Sequence, residues 1–382
     1  MKIVYCLIDS SRSGGMERSI CSKANYLADV MGYDVTIITT DRKGKSNFFD
    51  FSSRINFIDL GINYDELETL PVFKALCLKL KKRKLHSSRL TAILSEIQPD
   101  ISISTYTHEL SILSEIKDGS KKIAEIHFCK PYKSIEYSSD SIPVLKRIIA
   151  IAGEKRKHRY INKYDVFVVL TEEDRKRWSE VKNVKVIPNL LSFYPSVQSL
   201  CMDKRVISVG RLTRQKGYPL LIEAWQIVAK KHPEWQFAIF GEGEDKDMLN
   251  GMIRKAELMS ISIHPPTSNI IQEYLNSSVY VMSSIYEGFG LVLTEAMACG
   301  LPCVSFDCPS GPSEIIKDGE DGFLVKTGNI EELAQKIILL IEDESLRAEM
   351  GRKAKVNVQR FFSECIMPKW ISLFNEIISS GK

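Results

Sequence analysis

Short runs of β-branched and apolar residues alternate along the chain with longer stretches whose apolar positions recur at helical spacing. Ile3 to Ile8, Val35 to Thr40, Ile55 to Leu60, Ile101 to Ser104, Lys122 to Ile126 and Val166 to Leu170 predict one series of strands, with helices between most of them, for example Met16 to Met31, closed by Gly32. A second series begins at Arg205 to Val209 and continues through Phe237 to Phe240, Val279 to Met282 and Pro302 to Phe306. Its helices are expected at Tyr218 to Lys231, near Asp245 to Glu257, and at Leu291 to Cys299. Strands alternating with helices in this way predict an α/β protein of parallel sheets with helices on both faces.

Between the two series, Pro188-Asn189 through Pro195 and Ser199 is polar and broken by prolines, as a linker is. The pattern therefore divides into domains 1–199 and 200–361. A last helix, roughly Phe362 to Ile378 within 362–382, carries Trp370 and Phe374 at helical spacing and is expected to pack back on the first domain. A chain of 382 residues, 44% hydrophobic and 26% charged, is long enough for two separate cores.

The longest apolar stretches, such as Val166 to Leu170 and Ile337 to Ile341, fall far short of the roughly 20 residues that cross a bilayer. The start, Met1 to Ile8, reads as a buried strand and lacks a secretory signal's longer apolar segment, so a cytoplasmic protein is expected. Nine cysteines scattered without a CxxC pair argue against a disulfide framework and a zinc site, and are expected to be buried free thiols. Residues 1–199 carry 32 Lys or Arg against 24 Asp or Glu, and residues 200–382 carry 20 against 24, so the net +4 divides into +8 and −4. A basic first half suits an anionic partner, a membrane surface or nucleic acid.

The most informative stretch is Tyr286-Glu287-Gly288-Phe289-Gly290-Leu291 through Glu295 to Cys299-Gly300-Leu301-Pro302. Gly288 and Gly290 let the backbone approach a ligand, and a helix starting near Leu291 offers free N–H groups to a diphosphate. Carboxylates beside such a site would be repelled by phosphate, so the natural partners of Glu287 and Glu295 are sugar hydroxyls. Upstream, Gly210-Arg211-Leu212-Thr213-Arg214-Gln215-Lys216-Gly217 follows a strand, and its two cations, Arg211 and Lys216, can neutralise a departing diphosphate.

These segments resemble those of glycosyltransferase family 4, in an EGFG…EA signature over Glu287 to Ala296 and a GRL turn before a lysine and a glycine. Further matches are Phe240-Gly241-Glu242-Gly243, Ser310-Gly311-Pro312-Ser313-Glu314-Ile315-Ile316, Gly322-Phe323-Leu324-Val325, Leu170 to Asp174 and Ile187-Pro188-Asn189. The resemblance covers about residues 1–360. It implies the GT-B architecture: two Rossmann-like, doubly wound parallel-sheet domains facing a cleft, acceptor domain first and donor domain second. It also implies retention of anomeric configuration and no metal, in line with the lack of a D-x-D-like motif at a strand end.

In this resemblance Glu287 contacts the donor sugar and Glu295 the donor ribose, while Arg211 and Lys216 grip the diphosphate. Gly288, Phe289, Gly290, Leu291, Gly241 and Gly243 lie near the nucleotide sugar. Gly14 and Gly15 with Glu17 and Arg18 resemble a GG-x-ER loop facing the cleft near donor phosphate and acceptor. His127, after the strand Lys122 to Ile126, stands where members place a histidine near the sugar's reactive carbon, with His108 the competing candidate. Subfamily patterns suggest capsule, exopolysaccharide, lipopolysaccharide or other lipid-linked oligosaccharide synthesis from UDP-sugars. The rivals are a UDP-sugar 2-epimerase and a catalytically silent partner subunit; intact Glu287, Glu295, Arg211 and Lys216 speak against silence.

Between Pro71 and Ser95 lie Lys74, Lys79, Lys81, Lys82, Arg83, Lys84 and Arg89 without an acid, interleaved with Phe73, Leu76, Leu78, Leu80 and Leu85. Lys146-Arg147 and Lys155 to Arg159 flank a second apolar stretch, Ile148 to Ala152. Both suit basic amphipathic helices on anionic lipid, which would place the protein peripherally on the inner face of the plasma membrane. No nucleic-acid-binding fold or aromatic platform accompanies the charge, so nucleic acid is not expected.

Overall fold

The computed structural model describes residues 1–67, 69–130, 153 and 156–380. It divides into two compact units. The first comprises Met1–His127 with the described parts of Tyr137–Leu190 and Ser363–Lys382; the second comprises Leu191–Phe362 with the described part of Phe128–Glu136. The chain passes from one to the other at Leu190, inside the proline-punctuated segment.

The first unit holds a seven-stranded parallel sheet of β1 (Lys2–Leu7), β2 (Asp34–Thr39), β3 (Asn56–Asp59), β4 (Ile101–Ser104), β5 (Lys121–Glu125), β6 (Val166–Val169) and β7 (Val184–Val186), in the order β3-β2-β1-β4-β5-β6-β7. The second holds a six-stranded parallel sheet of β8 (Arg205–Val209), β9 (Gln236–Phe240), β10 (Ile261–His264), β11 (Val279–Met282), β12 (Cys303–Asp307) and β13 (Gly322–Lys326), in the order β10-β9-β8-β11-β12-β13. The central strands are near-continuous apolar runs, because helices cover both faces of each sheet. β7, β10 and β13 are the three strands that the hydrophobic pattern did not predict.

Helices used below are α1 (Gly15–Asn25), α2 (Val72–Ile97), α3 (Tyr218–Lys231), α4 (Leu291–Ala298), α5 (Ile330–Glu342) and α6 (Ser363–Ser379). In the second unit, Trp225 of α3 and Ile337 of α5 are fully buried in one cluster with Val206, Phe237, Val281 and Phe306 from four strands. Burial of each large apolar side chain contributes on the order of 2 kcal/mol. Trp370 and Phe374 on α6 are buried, in a helix that belongs to the first unit. The nine cysteines are free; Cys77 and Cys365 are exposed and the other seven buried, which corrects the expectation that all are buried.

α2 is a helix of 26 residues, and one of its faces turns inward through Lys82, His86, Leu90 and Leu94 at four-residue steps. This corrects the reading of Lys82 as a membrane-facing cation. Its ammonium is buried, donating to the carbonyls of Ile62 (2.5 Å) and Asn63 (2.7 Å) and to Glu66 Oε2 (2.9 Å), so it ties down the turn after β3. Arg89 likewise donates to the Leu60 carbonyl. Lys81 and Lys84 are exposed, Arg83 is half-buried, and Phe73, Leu76 and Leu80 stand 78%, 57% and 59% exposed. Of the second basic segment, Lys146, Arg147, Ile148 to Ala152 and Lys155 lie outside the described residues. Within the rest, Lys157 sits over the Tyr106 ring at 4.5 Å.

His86 Nδ1 lies 3.2 Å from the Tyr64 hydroxyl, and burial pushes the imidazole from 6.5 down to about 4. The unfolded chain takes up this proton below 6.5 and the folded chain holds it off until about 4. Stability therefore falls as pH drops through that window, by about 3 kcal/mol, and is flat below it with respect to this group. His86→Gln, which keeps a hydrogen-bond partner for Tyr64, should flatten that decline in urea unfolding followed across pH; an unchanged slope would contradict the assignment.

Candidate functional site

In the second sheet β8 lies between β9 and β11. The chain leaves the carboxyl end of β8 toward β9 on one side and resumes on the other side at β11. The loops after β8 and β11 therefore part company there, opening the crevice at which doubly wound sheets hold ligands. The loop after β8 carries Arg211 and Lys216, and the loop after β11 carries Glu287 to Gly290.

The two loops are laced together through backbone carbonyls. Ile285 N–H donates to the Gln215 carbonyl (2.8 Å), Gln215 Nε2 to the Tyr286 carbonyl (3.0 Å) and the Ser283 hydroxyl to the Lys216 carbonyl (2.8 Å). Gly217 has φ +61, and a methyl there would collide with the Ser283 carbonyl. This packing delivers Lys216 to Glu287. Lys216 Nζ stands 2.5 Å from Glu287 Oε1, which also accepts from the Ser284 hydroxyl at 2.6 Å. Glu287 is 6% exposed, and its N–H donates to the Pro309 carbonyl at 3.1 Å.

Arg211 is exposed, and among the described residues no side-chain hydrogen bond or ion pair engages its guanidinium. Glu295, inside α4, is 4% exposed and accepts from the Tyr274 hydroxyl at 3.4 Å. Gly290, at φ +96, is the N-cap of α4 and supplies no side chain to its first amides. That leaves an anion-seeking helix start beside Glu287. The Phe289 side chain is buried edge-on against Phe361, with centroids 5.3 Å apart, and Leu291 is 8% exposed. Both can meet a ligand mainly through backbone, while Gly288 is half-buried.

Gly241 and Gly243 serve close packing. A Cβ at Gly241 would collide with the Gly210 carbonyl, and one at Gly243 with the Leu212 carbonyl, so the loop after β9 can lie directly on the loop holding Arg211. Leu212 N–H donates to the Glu242 carbonyl at 2.9 Å and Asp245 N–H to the Leu212 carbonyl at 3.0 Å.

In the first unit, Gly14 is the N-cap of α1 and Gly15 its first residue. Glu17 is buried with its carboxylate folded against Gly14, and the Arg18 guanidinium lies 5.0 Å from the Phe49 ring centroid. His127 is 9% exposed, its Nε2 3.2 Å from Glu125 Oε1. His108 is exposed and its ring packs on Tyr64 with centroids 4.1 Å apart. The sequence reading missed Ser284, Gln215 and Tyr274, which hold the predicted residues; a hydroxyl three positions before Glu287 was the one available signal.

Substituting Gly217 and Gly319 separates loop packing from backbone strain. Gly319, at φ +74, has nothing within 4 Å of an added methyl, so Gly319→Ala should cost only the left-handed backbone penalty of about 1–2 kcal/mol. Gly217→Ala adds the collision with Ser283 and should cost clearly more in thermal or urea unfolding. Equal costs would show that the two loops are not locked together.

Comparison with known proteins bears on the same elements. Residues 197–357, which contain β8 to β13 and every candidate site residue of the second unit, match the family described as glycosyl transferases group 1. An uncharacterized glycosyltransferase of Haemophilus influenzae is 29% identical over 97% of this chain and 98% of its own. The amylovoran biosynthesis glycosyltransferase AmsD of Erwinia amylovora is 29% identical over 98% of this chain and 99% of its own. A mutant of S. aureus TarM, solved with fondaparinux, alpha-GlcNAc-glycerol and UDP, shares the fold with a TM-score of 0.78 at 20% identity, over 98% of this chain and 99% of that one. The architecture is thus GT-B, and residues 197–357, under half of the chain, resemble the glycosyl transferases group 1 family.

Proposed function

We propose that the chain is a retaining, metal-independent glycosyltransferase that moves a hexose or N-acetylhexosamine from a UDP-sugar to a lipid-linked saccharide in surface-polysaccharide synthesis. The observation that carries this reading is the part-buried Lys216–Glu287 pair, 2.5 Å apart, beside the uncapped start of α4 in the β8/β11 crevice. A diphosphate brings negative charge that Lys216 and the helix start attract, and its arrival frees Glu287 to accept from a sugar hydroxyl. UDP in the TarM complex and amylovoran biosynthesis in the name of AmsD support the donor and the pathway class.

In the proposed step the bond from the anomeric carbon to the diphosphate oxygen breaks while the acceptor oxygen bonds to the same face. The acceptor's proton passes to the departing phosphate oxygen. Lys216, Arg211 and the amides of α4 stabilise the charge that develops on that oxygen, and these fixed cations fill the role a metal would otherwise take. Glu295, held by Tyr274, is assigned the donor ribose, and His127 a saccharide hydroxyl. The exposed stripe of Phe73, Leu76 and Leu80, flanked by Lys81 and Lys84, is assigned to an anionic membrane surface, where each cation adds about 1 kcal/mol.

The test is a panel of UDP-, GDP- and ADP-sugars with EDTA present, with and without a polyprenyl-diphosphate-linked sugar, read by nucleotide release and product mass. Acceptor-dependent UDP release with a matching mass gain is expected. Isomerised sugar without acceptor would overturn the transferase reading in favour of an epimerase. Lys216→Ala should lower turnover by roughly 10²–10³-fold, and unchanged turnover would remove its transition-state role. In co-sedimentation with vesicles, the chain should bind those containing anionic lipid and not neutral ones; Phe73→Ser with Leu80→Ser should abolish that binding, and retention would remove the stripe from the account.

A further inference from the structure

The mechanism above leaves unused a buried charged cluster in the first unit. Lys23 of α1 pairs with Glu125 at the end of β5, and each side chain is 1% exposed. Both ions have left water, which makes such a pair a poor source of net stability compared with apolar residues of the same volume. Its surroundings do not repay the cost through hydrogen bonds. Among the described residues, Glu125 Oε2, the Tyr5 hydroxyl, Trp370 Nε1 and His127 Nδ1 are buried without a hydrogen-bond partner, and His127 Nε2 lies 3.2 Å from Glu125 Oε1 without a well-aligned hydrogen bond. Native interiors leave few such atoms, so their concentration around one carboxylate calls for an explanation.

Strand geometry supplies it. Glu125 and His127 are two residues apart, and the Ile126 N–H still donates to the Val168 carbonyl at 3.0 Å, so the pairing continues past β5 and both side chains emerge on one face. α1 lies on that face through Lys23, and α6 through Trp370, whose ring centroid is 4.5 Å from the Lys23 ammonium. Glu125 Oε1 thus meets Lys23 on one side and His127 Nε2, at 3.2 Å, on the other. Burial alone would raise the Glu125 carboxyl, but the adjoining Lys23 ammonium outweighs it and holds the carboxyl below the usual carboxylate range, so it is ionised at neutral pH. A negative oxygen next to Nε2 repels a lone pair there and attracts an N–H.

We propose that Glu125, kept ionised by Lys23, is a positioning residue for His127: it draws the imidazole proton to Nε2, leaves Nδ1 unprotonated and holds the ring in one orientation. This rests on the transferase reading for the effect on turnover, and on the cluster alone for the tautomer.

The tautomer is read by nitrogen NMR of ¹⁵N-histidine-labelled protein near neutral pH, where the chain's six histidines give few signals and those of His127 are identified by their loss in His127→Gln. His127 should show a protonated Nε2 and an unprotonated Nδ1. Because a single substitution that strands one buried charge can prevent folding, the test variant is Lys23→Met with Glu125→Gln, which neutralises both positions at similar volume. It should melt within a few degrees of the unmodified chain, lose the fixed tautomer, and lower kcat by at least about tenfold with KM for the donor unchanged. A folded double variant with the same tautomer, or with undiminished kcat, would overturn the proposal and leave the pair a packing feature. Absence of transferase activity in the unmodified chain would defeat the functional reading, and the NMR result would still decide the positioning claim.

Discussion

Parallel strands can be joined only by crossovers, and crossovers that wind in both directions from one strand force adjacent loops apart at its carboxyl end. Both sheets obey this constraint, with β1 between β2 and β4 and β8 between β9 and β11. The residues singled out by their chemistry gather at these places. Gly14 to Arg18 follow β1, His108 follows β4, Lys216 follows β8 and Glu287 follows β11. The fold creates the crevices, and the loops fill them with charge.

What makes the second-unit crevice more than a gap is that its loops are rigid before any ligand arrives. Glycines at 217, 241, 243 and 311 remove side chains where backbones pass at van der Waals distance, and backbone bonds then fix Lys216 against Glu287. The pair neutralises itself within a largely buried pocket, avoiding the penalty of an isolated ion. A diphosphate would exchange one anion for another at Lys216 without reorganising the scaffold. Such preorganisation is the usual source of electrostatic catalysis. Arg211, exposed on the same loop, is a cation that would be available to charge arriving with a ligand.

Much of this was legible in the sequence, and the failures have physical causes. Long apolar runs such as Ile3 to Ile8 can only be buried strands, and they were placed within a residue or two of the observed limits. β10 and β13 escaped because four or five residues with a histidine or a glycine at one end carry too little periodicity to outweigh their polar neighbours. Lys82 was misread because a basic run gives no sign of which lysine turns inward; the four-residue step to His86, Leu90 and Leu94 held that information, masked by the charge around it. Gly241 and Gly243 were placed near the nucleotide sugar by resemblance alone, and their packing against the loop after β8 had no signal in the sequence. The Lys23–Glu125 pair could not have been read at all, since its partners are 102 positions apart and each alone looks like a surface charge.

The proposed transferase depends on the β8/β11 crevice being the place where the nucleotide diphosphate binds. A crystal structure of the chain soaked with UDP tests this most directly. The expected result is a phosphate oxygen within hydrogen-bond distance of Lys216 Nζ and of the first amides of α4, with the Lys216–Glu287 contact lengthened from 2.5 Å. UDP bound elsewhere, with that pair undisturbed, would contradict it.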